Sequence, residues 1–357
     1  MGIEFLEERI VACDTTAMEV LWRINSLKGS AVFVVDENEQ LIGMVTKKEI
    51  DAIACEENKY IKAVDFCNKK FLRVVHTNTV ADYEEAKRCY RVYPNMFSIP
   101  LVSEKGCFLD CFRRDVVCFQ EYYDNNKLER MNYAICIYEA AREAKKLGYN
   151  EISVIEFGVA EGYGLVCVER YSEAVEQIFG IKIKVYGFDN GIGLPEPIGY
   201  QDRPHSWQAG WYKMNVEELR KKLKRATLVL GDVKDTIPDF FEKYNPPRIG
   251  VMLCDMDFYS STIEILSLLQ KENKWFTPRI RMYFDDVRAE YEWQGEGLAV
   301  KEFNMKYDEI KISPEGMNWS YIDCPDRKTL RIKMCHRFTH PDYNYNGGKE
   351  GNLLIAR

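Results

Sequence analysis

Acidic side chains close four short apolar segments in the second half of the chain. The segments KIKVYGFD, ATLVLGD, RIGVMLCD and IRMYFDD end at Asp189, Asp232, Asp255 and the pair Asp285–Asp286. Adjacent carboxylates such as Asp285 and Asp286 repel each other unless a cation or water compensates their charge. Carboxylate oxygens bind hard divalent ions and can also take a proton from a reacting hydroxyl. The pair therefore favours a metal site, whereas Asp232 or Asp235 alone is better explained as a helix cap.

A glycine-rich turn follows the apolar segment EISVIEF, in the sequence EFGVAEGYG. Gly158, Gly162 and Gly164 lack the Cβ atom that would block main chain from a bulky ligand, and the helix predicted after the turn directs free N–H groups there. Glu156 and Glu161 bracket the turn, and carboxylates repel a diphosphate but suit a sulfonium and an amino group. The turn therefore predicts a cationic ligand and argues against a nicotinamide dehydrogenase.

Strands and helices that alternate from about residue 150 must position these side chains. EISVIEF and the four acid-ended segments alternate with helical patterns, which predicts a parallel sheet with helices on both faces. Ligands of such sheets bind at the carboxyl ends of the strands, so we expect the acids to gather on one edge. Near the end, DEIKIS, NWSYID and TLRIKMCHRF are predicted to be antiparallel strands.

Residues 150–330 resemble the macrocin O-methyltransferase family of class I S-adenosylmethionine-dependent methyltransferases. The resemblance rests on YGFDNGIGLP, GDVKDTIPDFF, DMDFYSSTIEIL and FDDV, in that order and at the family's approximate spacing. It implies an α/β, Rossmann-like domain over 149–357, with a mostly parallel seven-stranded sheet whose last strand is antiparallel. It also implies S-adenosylmethionine as the cofactor, Asp189 at its ribose and Gly231–Asp232 near its adenine. The residues expected to bind the cofactor are Glu156, Gly158, Glu161, Gly162, Gly164, Asp189, Gly231, Asp232 and Asp255.

The same resemblance implies a reaction and a metal site. Members of the family methylate sugar hydroxyls, which are weak acids and need a proton acceptor and stabilisation of the alkoxide. By the family pattern Asp255, Asp285 and Asp286 would hold a divalent metal, which the preference of magnesium for oxygen ligands favours as Mg²⁺, and Asp255 would double as the base. Asp257 is an alternative for either role, and His205 is the second choice for the base.

A long connection, IGYQDRPHSWQAGWYKMNVEEL, separates the second and third predicted strands. Insertions of this length at a ligand edge are typically lids or substrate loops. Its His205, Trp207, Trp211 and Tyr212 fit sugar recognition, although the aromatic residues could equally close the core beneath the loop. Ser260, Ser261 and Thr262 are expected to cap the helix IEILSLL.

Two similar segments occur within residues 1–119. Each places an amphipathic helix before a hairpin, SAVFVVDENEQLIGMV or FSIPLVSEKGCFLDCF, and then opens another helix. The arrangement resembles a tandem pair of CBS modules, which often bind adenine nucleotides through a Thr or Ser followed three residues later by Asp. Thr46 is followed by Glu49, and Phe112 stands where the second copy would have the hydroxyl before Asp115. A structural or dimerising role is therefore favoured over nucleotide sensing, and a connecting helix is predicted over 120–148.

The composition restricts the classes of partner. The net charge is −7 and the basic residues form no block, which argues against nucleic acid as the main ligand. The apolar runs are too short to span a membrane and the start has no signal-peptide pattern, so we expect a cytoplasmic protein. The resemblance to CBS modules implies a homo-oligomer that forms through the CBS-like region.

The function predicted is a metal-assisted methyltransferase acting on a nucleotide-sugar, glycolipid or surface polysaccharide. The alternative is a non-catalytic regulatory protein of methyltransferase-like fold that senses adenine nucleotide.

Overall fold

The computed structural model describes residues 9–26, 31–53, 58–93, 96, 98–114, 117, 129–287, 292–315 and 331–344. The described residues fall into two compact units, one before residue 127 and one after it. Among the described residues, no helix combines the length and the hydropathy needed to cross a bilayer. The domain boundaries expected at 119 and 148 stay a prediction.

The first unit contains two three-stranded sheets that repeat one arrangement. Their strands are β1 (Ile10–Ala12), β2 (Val32–Val35), β3 (Leu41–Val45), β4 (Val74–Val75), β5 (Ser98–Val102) and β6 (Phe108–Arg113). In each sheet the first two strands are parallel and the last two form an antiparallel hairpin. The internal repeat predicted from the sequence is therefore present in the described part of this unit.

Short amphipathic helices cover these sheets. They are α1 (Ala17–Ser26), α2 (Lys47–Asp51), α3 (Ala63–Phe66) and α4 (Thr79–Val92). In α1, Val20 and Ile24 are spaced by four residues and are buried against the first sheet, whereas Trp22 on the other face is 62% exposed. The apolar periodicity of the segment thus decides which side of the helix packs.

The second unit is built on a seven-stranded sheet. Its strands are β7 (Glu151–Phe157), β8 (Lys182–Asp189), β9 (Thr227–Leu230), β10 (Ile249–Cys254), β11 (Phe276–Phe284), β12 (Ile310–Pro314) and β13 (Ile332–Arg337). Their order is β12-β13-β11-β10-β7-β8-β9, and β13 alone runs against the other six. This confirms the predicted fold class, a mostly parallel α/β sheet whose last strand is antiparallel. The segment NWSYID lies outside the described residues.

Seven α-helices and three short 3₁₀ turns surround the sheet in the described part of this unit. The helices are α5 (Met131–Lys146), α6 (Tyr163–Phe179), α7 (Val216–Lys222), α8 (Val233–Thr236), α9 (Phe240–Tyr244), α10 (Tyr259–Ser267) and α11 (Gly295–Lys306). The 3₁₀ turns are Tyr200–Asp202, Leu268–Gln270 and Asn273–Trp275.

Strand β7 shows how the sheet separates two faces. Ile155 and Phe157 are fully buried in one hydrophobic cluster, together with side chains of α9, α10 and α11. Because successive side chains of a strand point to opposite faces, Glu156 turns the other way. It lies against Gly164 of α6 and is the hydrogen-bond partner of Tyr133 of α5.

Helix α5 packs on β10 and β11 within the second unit. Its Glu143 pairs with Arg279 at 2.6 Å and with Arg281 at 3.1 Å, both on β11. A buried carboxylate needs such partners because an unpaired charge is costly away from water. The helix predicted over 120–148 therefore includes a part that belongs to the core of this unit, while residues 118–128 lie outside the described part.

Candidate functional site

The carboxyl ends of four neighbouring strands form one continuous rim. Hydrogen bonds extend the sheet one residue beyond the strands: Gly158 N donates to Phe188 O, Asp255 N to Phe157 O and Asp285 N to Cys254 O, each at 3.0 Å. Asp189 ends β8 on the same edge, level with Leu230 of β9. The rim therefore gathers the predicted acids, as expected for parallel strands of this order.

Asp255, Asp285 and Asp286 form the acid cluster. Each offers a carboxylate oxygen, and the three atoms lie within 4.8 Å of one another. Burial, and then the charge of Asp285, raise the pKa of Asp255 to about 7. Three oxygens converging at this distance match the donors and spacing that a hard divalent ion needs. The residues predicted to hold a metal thus fit that role.

Asp257 lies beside the acid cluster in an unusual conformation. Its φ of 58° is left-handed, and the residue is buried. Burial, and then a side-chain hydrogen bond with Asp286, raise its pKa to about 10. This shift disfavours the charged form of Asp257, which favours Asp255 over Asp257 as the proton acceptor.

Glu296, which the sequence analysis missed, connects the loops that carry the acids. It is fully buried near the start of α11. Its Oε1 accepts from Met256 N at 3.2 Å and its Oε2 from Asp286 N at 2.9 Å. Burial raises its pKa well above the usual range, with the charge of Asp286 the next cause. The carboxyl group therefore sets the spacing between the ends of β10 and β11.

An arginine stands near each member of the acid cluster, and the sequence analysis missed all three. The pairs are Asp255 with Arg130 at 3.5 Å, Asp285 with Arg331 at 3.5 Å and Asp286 with Arg203 at 3.6 Å. The arginines come from the start of α5, from the connection after β8 and from the residue before β13. No local motif signals such pairs, because each arginine is distant in sequence from its partner.

The glycines of the turn are required by the protein's own packing. A Cβ atom on Gly158 would lie 1.9 Å from Asp255 O, and one on Gly164 would lie 1.9 Å from Glu156 Oε1. A Cβ atom on Gly162, whose φ is 84°, would lie 2.0 Å from Leu219 Cδ1. The turn can thus pass close to β10 and leave room for Glu156. Contact of these glycines with a ligand stays a prediction.

Glu156 is a buried carboxyl group with an unused oxygen. The residue is 2% exposed, and Oε2 has no hydrogen-bond partner among the described residues. Burial raises its pKa to about 8, although nearby Arg130 opposes the shift. A buried polar atom left without a partner costs free energy. Glu156 is therefore suited to a cationic donor that would supply the missing hydrogen bond.

Asp189 fastens the glycine turn to the end of β8. Its Oδ2 accepts from Val159 N at 3.0 Å and Ala160 N at 2.8 Å, and its Oδ1 accepts from Gly191 N at 2.6 Å. A carboxylate has about four acceptor sites, so one remains for a ligand hydroxyl. Contact of Asp189 with a ribose stays a prediction.

The other residues predicted to contact the cofactor have different surroundings. Glu161 is exposed on the turn. Gly231 N donates to Asp189 O at 3.0 Å, which holds the end of β9 beside that of β8. Asp232 accepts from Lys234 N and caps α8, the role that its type and position indicate when it is considered alone. An adenine contact at Gly231 and Asp232 stays a prediction.

Residues 190–215, the inserted loop, connect β8 to α7 and are pinned to the rim. Asp202 is fully buried, and its Oδ1 and Oδ2 accept from Ser260 N and Ser260 Oγ, each at 2.8 Å. The N-cap of α10 is Phe258, which makes no side-chain cap bond. The expectation that Ser260, Ser261 and Thr262 cap this helix is therefore wrong, since the acceptor for its first turn comes from the inserted loop.

Trp207, Trp211 and Tyr212 form the aromatic cluster of the inserted loop. Their ring centroids lie 6.2 to 6.4 Å apart in edge-to-face pairs, and Trp211 and Tyr212 are 42% and 49% exposed. Burial, and then the charges of Asp257 and Asp255, raise the pKa of Tyr212. Tyr212 therefore lies within electrostatic reach of the acids, and Trp211 and Tyr212 are accessible to a ligand.

His205 is exposed on the same loop. Within the described residues it makes no hydrogen bond or ion pair with the acid cluster, and its role as a base stays a prediction. Its neighbour Arg203 is 3% exposed and lies over the ring of Trp207 at 5.3 Å. Arg203 thus joins the aromatic cluster to Asp286.

In the first unit, Thr46 and Glu49 are committed to starting a helix. Thr46 Oγ1 accepts from Lys48 N, and Glu49 Oε2 accepts from Thr46 N at 2.9 Å, which is a capping box at the start of α2. The residues that occupy the positions of the nucleotide-binding signature in this copy therefore have a structural task, which agrees with the structural role favoured by the sequence. Asp115 of the second copy lies outside the described residues.

Solved structures similar to this chain include methyltransferases and CBS domains, the two classes that the sequence resembles. The calicheamicin methyltransferase CalS11 is 18% identical over 74% of this chain and 95% of its own, with a TM-score of 0.43. The O-methyltransferase NovP is 17% identical over 58% of this chain and 79% of its own, with a TM-score of 0.41. The CBS domains of a transcriptional regulator from Streptococcus pneumoniae are 13% identical over 31% and 87%, with a TM-score of 0.26.

No protein-family model matches the chain, and no curated protein matches it.

Proposed function

We propose that the second unit is an S-adenosylmethionine-dependent, divalent-metal-assisted O-methyltransferase that acts on a sugar hydroxyl. One observation carries the proposal: the acid cluster and the partly unsatisfied carboxyl of Glu156 lie on one rim, beside a turn that passes close to the sheet. Such a rim suits a positively charged methyl donor and a hard cation held side by side.

The acid cluster would hold the metal through Asp255, Asp285 and Asp286. Magnesium bound by these oxygens would supply Lewis-acid stabilisation of the oxygen that becomes an alkoxide. Asp255 would accept the proton of the acceptor hydroxyl, since its carboxylate lies in the acid cluster where that hydroxyl would be held. The O–CH₃ bond forms as the S–CH₃ bond breaks, so no covalent enzyme intermediate is needed.

The aromatic cluster supports a sugar as the acceptor. Flat, exposed rings pack against the C–H faces of a sugar, and rings with a polar edge also bind its hydroxyls. Trp211 and Tyr212, the exposed members of the cluster, are the rings that an acceptor would reach.

Two measurements test the proposal. A ligand that binds only the native protein must raise its stability, so S-adenosylhomocysteine should raise the unfolding midpoint. Transfer of a labelled methyl group to nucleotide-sugars, glycolipids or polysaccharides should then be lost in Asp255→Asn and after chelation of metal. Absence of any thermal shift with S-adenosylhomocysteine would count against the methyltransferase. If Asp255→Asn still transfers the methyl group after metal is removed, the protein is a methyltransferase, but Asp255 is not its base and the reaction does not need a metal.

The first unit is proposed to join copies of the chain, and the alternative is that its tandem modules bind adenine nucleotide. The capping box of Thr46 and Glu49 supports a structural role for that copy. Titration with AMP and ATP tests the regulatory alternative. Tight nucleotide binding without methyl transfer by the full chain would favour the alternative over the enzyme.

A further inference from the structure

Tyr283 donates a hydrogen bond to one of the residues proposed to hold the metal. Its Oη lies 2.5 Å from Asp285 Oδ1, and the residue is fully buried near the end of β11. We propose that Tyr283 is a positioning residue, which orients the carboxylate of Asp285 toward the metal. The inference rests on the metal site of the proposed function and adds a residue that does not itself bind the ion.

The acid pair needs support on each side chain separately. Strand β11 ends at Phe284, and both acids lie in the turn that follows it. Adjacent carboxylates repel each other, so without support the two side chains would turn apart. An oxygen of Asp285 and one of Asp286 nevertheless lie within 4.8 Å of each other. Arg203, at 3.6 Å, supports Asp286, and Tyr283 is the corresponding support of Asp285.

The hydroxyl of Tyr283 has a fixed direction. Its ring is buried and meets the ring of Tyr133 edge to face, with the centroids 5.5 Å apart. A hydroxyl that donates to a carboxylate makes one of the stronger hydrogen bonds in a protein. A phenol is neutral, so it orients the carboxylate without offsetting the charge that attracts a cation. A carboxylate has about four acceptor sites, so this bond is compatible with binding of an ion.

Other groups act on the backbone of Asp285. Its N–H donates to Cys254 O at 3.0 Å, and its carbonyl oxygen accepts from Arg331 Nη1. Arg331 lies 3.5 Å from Asp285 Oδ1, which is longer than a charge-assisted hydrogen bond. The backbone is thus held from both sides, whereas Tyr283 makes the short contact with the carboxylate itself. Removal of its hydroxyl should therefore change the direction of the carboxylate more than the path of the chain.

The choice between two ions reveals the direction of a ligand. Magnesium needs near-ideal octahedral geometry, whereas calcium accepts longer and more variable contacts. Tyr283→Phe removes one oxygen and keeps the ring against Tyr133. In calorimetric titrations of the full chain, we expect magnesium affinity to fall about 10- to 100-fold, the range for residues that support metal ligands. Calcium affinity should fall by a smaller factor, so the ratio of the two affinities should shift toward calcium.

A matched variant controls for the loss of a buried tyrosine hydroxyl. Tyr186 is buried on β8, packs against Phe240 and makes no hydrogen bond with the acid cluster in the described part of the chain. Tyr186→Phe should keep the wild-type ratio of magnesium to calcium affinity. The unfolding midpoint measured without metal shows whether each variant is folded.

A double-mutant cycle tests whether Tyr283 acts through Asp285. Asp285→Asn removes the charge of the ligand and should weaken magnesium binding directly. Adding Tyr283→Phe to this variant should lower the affinity no further, because the group that the hydroxyl orients has already lost its role. A residue that supports the site in some other way would lower the affinity in both backgrounds.

Each outcome decides the inference. If Tyr283→Phe leaves both affinities unchanged, or lowers them by the same factor, Tyr283 does not orient a metal ligand. An equal loss in the wild-type and Asp285→Asn backgrounds also overturns the proposal. If the wild-type chain binds neither magnesium nor calcium, the metal role fails together with this inference. The stabilisation by S-adenosylhomocysteine tests the methyltransferase separately, so the two failures are distinguishable.

Discussion

Asp202 accepts two hydrogen bonds from Ser260, one from its backbone nitrogen and one from its hydroxyl, each at 2.8 Å. The two residues are 58 positions apart, and the contact fastens the inserted loop to the first turn of α10. Because α10 follows directly after Asp255 and Asp257, the loop and the acid cluster are held as one piece. The aromatic cluster is therefore positioned by a buried carboxylate that lies shortly before it in the same loop.

Replacement of this carboxylate should release the loop. We expect Asp202→Ala to lower the free energy of unfolding by about 1.5–3 kcal/mol, because it removes the charged acceptor of the half-buried Ser260 donors. Chemical denaturation measures this loss of stability. The KM for the methyl acceptor should rise by a larger factor than the Kd for S-adenosylhomocysteine. Asp235→Ala, at an exposed position on α8, should stay within about 0.5 kcal/mol of wild type. Equal stability of the two variants would show that the Asp202 contact does not hold the loop.

Glu296 should act on the metal through the backbone it positions. In Glu296→Gln one oxygen is replaced by an amide N–H₂ that faces a backbone donor, so we expect a loss of about 1–3 kcal/mol in stability. Divalent-ion affinity, measured by calorimetry, should fall about 10- to 100-fold, as for other residues that support metal ligands. Glu292→Gln is the control, since that carboxylate is 60% exposed and pairs with Lys301. If Glu296→Gln binds divalent ions as tightly as wild type, Glu296 does not position the residues that hold the metal.

Magnesium should stabilise the chain more at high pH than at low pH. Burial raises the pKa of Asp255 to about 7 and that of Glu156 to about 8. Unfolded carboxyls titrate near about 4, so the folded chain binds these protons more tightly between about pH 4 and pH 8. The stability from these two groups is then present below about pH 4 and is lost as the pH rises through their folded pKa values.

Metal ions compete with these protons, because carboxylates bind metal in the deprotonated form. The rise in unfolding midpoint on adding magnesium should therefore be small near about pH 5.5 and several degrees larger near about pH 8. Differential scanning fluorimetry at the two values measures it. Asp255→Asn should remove most of the shift at high pH. A shift that is the same at both values in wild type would contradict the competition.

Crowding at Gly164 should damage the site without any change in backbone conformation. An alanine Cβ there would lie 1.9 Å from Glu156 Oε1, so we expect Gly164→Ala to cost about 1–3 kcal/mol and to abolish detectable S-adenosylhomocysteine binding. The control is Gly180→Ala, where no atom lies within 4 Å but φ is 65°. That variant should lose about 1 kcal/mol through strain and keep its ligand affinity. If both variants lose S-adenosylhomocysteine binding, the loss follows from lower stability and not from crowding of Glu156.

Local patterns in the sequence were sufficient to predict the order of elements in the second unit. Apolar strands such as IGVMLC and the helices between them are encoded by residues a few positions apart, so EISVIEF and RIGVMLCD were placed correctly in a parallel sheet. The carboxyl ends of parallel strands all lie at one edge of the sheet, so acids that end such strands must lie at that edge. Asp255 and the pair Asp285–Asp286 therefore meet there as predicted.

Only the tertiary structure decided what surrounds those acids. Glu296 bonds to an amide 40 residues away, and Asp202 caps a helix 58 residues away, where the sequence suggested a cap from within the helix itself. The arginines beside the acid cluster come from three distant segments, and Asp189 uses its oxygens on the glycine turn. Such contacts depend on which loops the strand order brings together at the rim, and no short-range periodicity encodes that choice.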